Sequence, residues 1–249
     1  LLFNLWRRKQ FNERLTKQHL LLEAQNEELS QLAAFKDRML TIVSHDVRNP
    51  LAGLKSMLAL QSSGAITQEE FSEWNAEVTQ RIDSALGMLH NLLEWSKLEY
   101  IGLKPYKERV DLQLFMREVI EQVQYQSSFK GVYLKWEVEP RLSMFADRHM
   151  LRTCLYNLIS NAIKFSNKGD TVWILGKSIP GGACLEVIDH GVGMDAATLS
   201  RLQEPKVNFS TFGTENEKGS GVGLVLVKEM LQLMDARLEI QSEVGTGSN

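Results

Sequence analysis

The chain has 249 residues, long enough for two domains of ordinary size, and a hydrophobic share of 43% that can fill their cores. Lys and Arg number 28 against 31 Asp and Glu, a net charge of −3, so no global basic field recommends nucleic acid as a partner. Cys154 and Cys184 lie in apolar runs far apart, without metal-ligand spacing, which fits free thiols in a reducing compartment and places the chain in the cytoplasm.

The chain opens "LLFNLWRRKQ". An apolar start, an aromatic residue and then Arg7, Arg8 and Lys9 is the pattern of the cytoplasmic end of a membrane span. No apolar run reaches the ~18 residues a span requires. The expectation is therefore the cytoplasmic portion of an inner-membrane protein, anchored by a segment upstream of residue 1.

From Phe11 the positions Phe11, Leu15, Gln18, Leu22, Gln25, Leu29, Leu32, Lys36, Met39 and Val43 step four and three alternately. This is a heptad seam, and its polar members favour a two-stranded parallel coil over a larger bundle. A juxtamembrane coiled coil is expected over 1–40. After Leu60, Gly64 breaks the helix and Thr67 caps a second one ahead of Glu69 and Glu70. Its stripe of Phe71, Trp74, Val78, Ile82, Ala85, Leu89, Leu92 and Leu93 is too broad for a lone helix. The two helices form a hairpin over 35–100 that needs a partner, and two hairpins in a homodimer make a four-helix bundle. Gly102 and Pro105 mark a linker.

Over 105–249 the periodicity is mixed. A helix is expected around 112–129, a strand at "VYLKWEVE", a short strand at "MFA", a helix over 148–165, strands at "TVWILGKS" and "ACLEVID" joined by a "PGG" turn, a helix over 222–234 and a strand at "RLEIQSE". Alternation of this kind with an antiparallel hairpin predicts the α+β class, a layered sandwich rather than a doubly wound sheet.

Three segments of this half can carry chemistry. On the helix 148–165, Leu151, Leu155, Leu158, Ala162 and Phe165 form the core stripe, while Asn157, Asn161 and Lys164 share an adjacent face. Two amides and an ammonium suit a hard cation with an anionic ligand: amide oxygens for Mg²⁺, lysine for phosphate. The same face could equally be polar for solubility. In "CLEVIDHGVGM" a strand ends in Asp189, followed by Gly191 and Gly193. An ionised carboxylate only accepts hydrogen bonds, so at a pocket floor it favours the exocyclic amino group of adenine, although a capped glycine turn looks the same. In "KGSGVGLVLV", Gly219, Gly221 and Gly223 open an apolar helix beside Lys218, where free N–H groups and the helix dipole favour phosphate. The stretch "PKVNFSTFGTENE" before it is too long for a connector and is a candidate lid.

The order of these segments resembles the ATP-binding domain of the sensor histidine kinases of two-component systems, within the GHKL (Bergerat) fold shared with gyrase, the Hsp90 chaperones and the MutL proteins. "SHDVRNPL" in a helical hairpin resembles the phosphoacceptor box of the same kinases. The resemblance implies a fold of coiled coil, dimeric helical bundle and α/β sandwich, with ATP and Mg²⁺ bound by Asn157, Asn161, Lys164, Asp189, Gly191, Gly193, Lys218, Gly219, Gly221 and Gly223, the two asparagines nearest the metal. Some residues depart from the pattern. Asp46 stands where Glu is commoner, His190 occupies a place of small or amide residues, and no Arg lies between Pro205 and Gly219, which leaves Lys218 for the phosphate contact. The chain stops at "GTGSN", where the family usually adds a strand, so a truncated C-terminus is expected.

His45 is then the nucleophile, since neutral imidazole presents one free nitrogen near pH 7 when the other is held. Asp46 is close enough to orient or deprotonate it, and Asn49 lies one turn on, on the same face. Pro50 lacks an N–H and should kink the helix just below the histidine. The expected function is autophosphorylation of His45 from Mg-ATP and transfer to the aspartate of a response-regulator receiver domain, with dephosphorylation of that regulator. The rival readings are a GHKL-type ATPase, which would carry a Glu where Asn157 stands, and a non-catalytic dimeric scaffold.

Overall fold

The computed structural model describes residues 14–23, 25–27, 30, 33, 51–63, 65, 67, 70–71, 74, 78–79, 82, 86–87, 89, 93, 105–203, 211–215, 217 and 223–249. The N-terminal basic cluster, the seam from Leu29 onward, the breakers Gly64 and Gly102, the phosphoacceptor residues His45, Asp46, Asn49 and Pro50, and Lys218, Gly219 and Gly221 lie outside the described residues. The chain divides into two compact units, Leu1–Leu89 and His90–Asn249.

In the first unit residues 14–23 are helical, with Leu15, Leu20, Leu21 and Leu22 all more than half exposed. Residues 51–62 form another helix that closes with the Ala65 N–H on the Leu60 carbonyl at 3.0 Å. The next helix starts where Thr67 was expected to cap it. Thr67 Oγ1 accepts from the Glu70 N–H at 3.2 Å and the Glu70 carboxylate accepts from the Thr67 N–H at 2.8 Å, the reciprocal pair that satisfies two orphan donors of a helix start. These hydrogen bonds hold the exposed Glu70 carboxyl below its ordinary range. The two helices are in contact: a Cβ on Gly53 would stand 3.9 Å from Val78 Cγ2, and Met57 is buried. Leu51, Leu58, Trp74 and Leu86 remain uncovered.

The second unit begins with β1 (Lys107–Asp111), which pairs antiparallel with β3 (Ser143–Asp147). Between them run α1 (Leu112–Lys130) and β2 (Tyr133–Val138). Asp111 caps α1 by accepting from the N–H groups of Gln113 and Leu114, and Gly131 ends it in the left-handed conformation at φ 69°. Then come α2 (Arg148–Phe165), capped by Asp147, and the hairpin of β4 (Thr171–Ile179) and β5 (Gly182–Ile188). β4 pairs parallel with β2 and antiparallel with β5. After α3 (Ala196–Gln203) and α4 (Gly223–Leu233), β6 (Ser242–Glu243) and β7 (Gly247–Ser248) form a small closing hairpin.

α2 packs against both α1 and α4. Phe115, Met116 and Val119 of α1, Ile159 and Ile163 of α2, Leu226 and Val227 of α4 and Val172 and Ile174 of β4 are fully buried. Helices laid on a mixed sheet make the expected α+β sandwich. Three details differ from the sequence reading. β1, "KERVD", buries only Val110, so its alternation was invisible; its pairing with β3 makes it a strand. α3 is a short helix not foreseen, started by Asp195, which accepts from the Thr198 N–H at 2.7 Å. "RLEIQSE" is a strand only at its last two residues, because Arg237 to Ile240 pair with no strand among the described residues and a strand exists by its ladder.

Candidate nucleotide site

Each expected site residue of the second unit that the structure describes lies on α2, on the loop after β5 packed against it, or at the start of α4. Asn157 is buried, and its Nδ2 donates to the Thr153 carbonyl at 2.8 Å. Gly223, the first residue of α4, lies against this amide: a Cβ there would stand 2.5 Å from Asn157 Oδ1. The last glycine of the glycine-rich segment is thus glycine because the amide occupies its side-chain space. Asn161 and Lys164 follow on the same face, both half-buried. Among the described residues no group of three His, Cys, Asp or Glu is placed to hold a metal ion. The hard oxygens for a cation on this face are therefore the two amides, a sparse set that suits a Mg²⁺ keeping waters and phosphate oxygens of its own.

Asp189 follows β5, bridges to Ser248 and is buried. Its Oδ1 accepts from the Gly191 N–H at 2.9 Å, and its backbone exchanges hydrogen bonds with Ser248. Burial pushes its carboxyl above the ordinary range, opposed by the Gly191 and Ser248 N–H groups. A buried acceptor held this rigidly fits a donor such as an aromatic amine. The glycines beside it serve close backbone approach. A Cβ on Gly191 would overlap the Phe165 carbonyl at the end of α2, where the Val192 N–H bonds at 3.2 Å. Gly193 (φ 64°) faces the Glu243 carbonyl and Gly247 (φ 109°) that of Asp189, so the β6–β7 hairpin clamps the loop from the other side. The asparagine face, the aspartate loop and the start of α4 are therefore drawn together by α2.

Residues 211–217, expected as part of a lid, are tied down where the structure describes them. Thr214 donates to the Lys164 carbonyl through its N–H at 3.2 Å and to the Ser166 carbonyl through Oγ1 at 2.7 Å. Lys130, which the sequence reading passed over, forms an ion pair at 2.6 Å with Glu217 at the end of the lid segment. Lys164 Nζ donates to the Thr211 carbonyl at 3.0 Å and lies over the Phe165 ring. Burial brings the Lys164 ammonium down to about 8, with Glu217 opposing and Lys130 adding to the shift. A lysine before a glycine at a helix end reads as an ordinary solvated residue, so no local signal pointed to Lys130.

A cavity of about 370 Å³ lies at the opposite end of α2, lined by Tyr106, Glu108, Asp147, Arg148, His149 and Arg152. It contains none of the expected site residues. Arg148 and Arg152 there both pair with Glu118.

The sandwich and the three segments gathered on α2 define an ATP-binding domain of the GHKL class. Residues 146–249 match the family described as Histidine kinase-, DNA gyrase B-, and HSP90-like ATPase, and residues 35–101 the His Kinase A (phospho-acceptor) domain. The Histidine protein kinase DivJ of Caulobacter vibrioides is 28% identical over 222 residues, 87% of this chain and 37% of that one. Among solved structures, full-length ShkA in complex with AMPPNP superposes with a TM-score of 0.55 at 25% identity, covering 85% of this chain and 44% of that one. Histidine kinase ThkA in complex with the response regulator protein TrrA gives a TM-score of 0.62 at 17% identity, covering 90% and 61%, a likeness of fold. The chain belongs to the sensor histidine kinases, with a phosphoacceptor domain followed by an ATP-binding domain. It spans little more than a third of the length of DivJ.

Proposed function

We propose that the protein autophosphorylates His45 from Mg-ATP, passes the phosphoryl group to an aspartate of a response regulator, and removes it from that regulator. One observation carries the reading: a phosphoacceptor family match spanning "SHDVRNP" stands in one chain with an ATP-binding domain whose Asn157, Asn161, Lys164, Asp189 and Gly223 are gathered around α2. The printed partners of its relatives, AMPPNP for ShkA and a response regulator for ThkA, support the nucleotide and the partner.

In the transfer, the bond from the γ-phosphorus to the bridging oxygen of ADP breaks and a bond from phosphorus to the imidazole nitrogen of His45 forms. Asp46 takes the imidazole proton and ADP leaves. Asp189 accepts from the adenine amino group, while Lys164, Lys218 and the N–H groups around Gly219 and Gly221 hold the phosphates. Asn161 and Asn157 would hold a Mg²⁺, which would supply charge neutralisation on the phosphates. Asn49 cannot act as a base, but it can hold a water in line with a phosphoryl group on a docked aspartate. The uncovered leucines of 14–23 and the uncovered Leu51, Leu58 and Trp74 support a homodimer built through a coil and a four-helix bundle. Among the described residues no helix is long and apolar enough to cross a membrane; Trp6 beside Arg7, Arg8 and Lys9 supports a position at the cytoplasmic face of a membrane.

The experiment is paired. Incubation with γ-labelled ATP should give an acid-labile, base-stable label that His45→Ala loses, and Asn49→Ala should keep that label yet fail to clear phosphate from the regulator. Label that survives His45→Ala, or that resists acid, would refute a phosphohistidine. Wild-type regulator dephosphorylation by Asn49→Ala would leave the phosphatase role without its residue.

A further inference from the structure

Lys130 is 5% exposed, a burial that ammonium groups rarely accept and that costs several kcal/mol unless the charge is well paired. It closes α1, and its Nζ donates to the Lys164 carbonyl and to Glu217 Oε1. Glu217 is held in turn. Its Oε2 accepts from the Glu215 N–H at 2.8 Å, and its carbonyl accepts from the Gly213 N–H at 2.8 Å. Gly213 sits so tightly on the end of α2 that a Cβ would stand 2.7 Å from Lys164 Cγ and 2.8 Å from its carbonyl. The described residues of 211–217 thus form a strap laid across Lys164, gripping its backbone through Thr214 and its ammonium through the Thr211 carbonyl.

Packing alone does not call for charges here, since an apolar pair of similar volume commonly holds such a joint as well or better. What the charges do that an apolar pair cannot is act on Lys164. Among the described residues the charged groups acting on its ammonium are Glu217 from the strap, which favours the charged form, and Lys130 from α1, which disfavours it. The ammonium is partly desolvated and would otherwise lose its proton at lower pH.

We infer that Glu217, seated by Lys130, is a positioning residue for nucleotide binding: it anchors the strap whose Thr211 carbonyl holds the Lys164 ammonium, the cation that would meet the phosphates of ATP. The inference rests on the proposed binding of Mg-ATP to this face. It adds two residues outside the asparagine, aspartate and glycine segments, and it gives their effects opposite signs.

The test is a pH series of Mg-ATP affinity, by calorimetry on the intact chain, from about pH 6.5 to about pH 9.5. An anionic ligand favours the protonated amine, so wild-type affinity should fall above a midpoint of about 8, approaching about tenfold per pH unit. In Glu217→Gln the fall should begin at lower pH, because the charge that favours the ammonium is gone. In Lys130→Met it should begin at higher pH, because the repelling ammonium is gone and Glu217 is released toward Lys164. In Lys164→Met the fall should vanish along with most of the affinity. Thermal melts check that each variant is folded; if Glu217→Gln is not, the upward shift in Lys130→Met decides, since a purely structural joint would not move the midpoint. Shifts in the same direction, or a wild-type profile without a midpoint, overturn the role of Glu217. A wild-type chain that binds no Mg-ATP at any pH overturns the proposed kinase reading itself.

Discussion

Substituting Gly223 by Ala tests the joint between the glycine-rich segment and the asparagine face. The new methyl would stand 2.5 Å from Asn157 Oδ1 and 3.3 Å from its Cγ, too close for either atom. The amide terminates a side chain and can move, but Asn157 is buried among packed neighbours and bonded to the Thr153 carbonyl at 2.8 Å. Overpacking of this kind costs ~1–3 kcal/mol, and losing the amide hydrogen bond adds ~1 kcal/mol. Alanine in place of glycine in α4 returns ~1 kcal/mol of helix propensity. The net expectation is a loss of about 1–3 kcal/mol in denaturant unfolding of the second unit, with Asn157 displaced and Mg-ATP affinity lowered by tenfold or more. A double-mutant cycle isolates the cause: in an Asn157→Ala background the methyl has room, so Gly223→Ala should be neutral or stabilising by up to ~1 kcal/mol. Additive effects in the cycle, or unchanged nucleotide affinity in the single variant, would refute the contact.

Asp189→Asn keeps the shape of the side chain and the acceptor for the Gly191 N–H, but turns one oxygen into a donor facing the adenine amine. ATP affinity should collapse while the melting temperature stays level or rises at neutral pH. The sign follows from burial: a carboxyl whose folded pKa is raised bears its cost above that pKa and regains stability as pH falls through it. A melting temperature several degrees lower, or retained ATP affinity in titration, would count against this placement. Joint replacement of Leu15, Leu22 and Leu29 by Ser should weaken dimerisation, and sedimentation showing an unchanged dimer would remove the coil.

Much of this protein was legible in its sequence because the relevant physics is local. The helix over 148–165 was readable from a 3.6-residue stripe and ends at those residues, and Thr67 was readable as a cap because its hydroxyl needs a donor only three residues on. The order of the Asn, Asp and Gly segments after a histidine box was enough to indicate the family. The tertiary structure decided what depends on residues far apart. β1 looks like a charged loop until β3 pairs with it 30 or so residues later. Gly191, Gly223 and Gly247 are each glycine because a different distant atom, the Phe165 carbonyl, the Asn157 amide or the Asp189 carbonyl, occupies its side-chain space, which no local pattern reveals. Lys130 and Glu217 meet across 87 residues of sequence. A chain pattern records how neighbours along the backbone share a face, whereas a contact closed over such a distance is set by the packing of α1, α2 and the strap together, and no periodicity carries it.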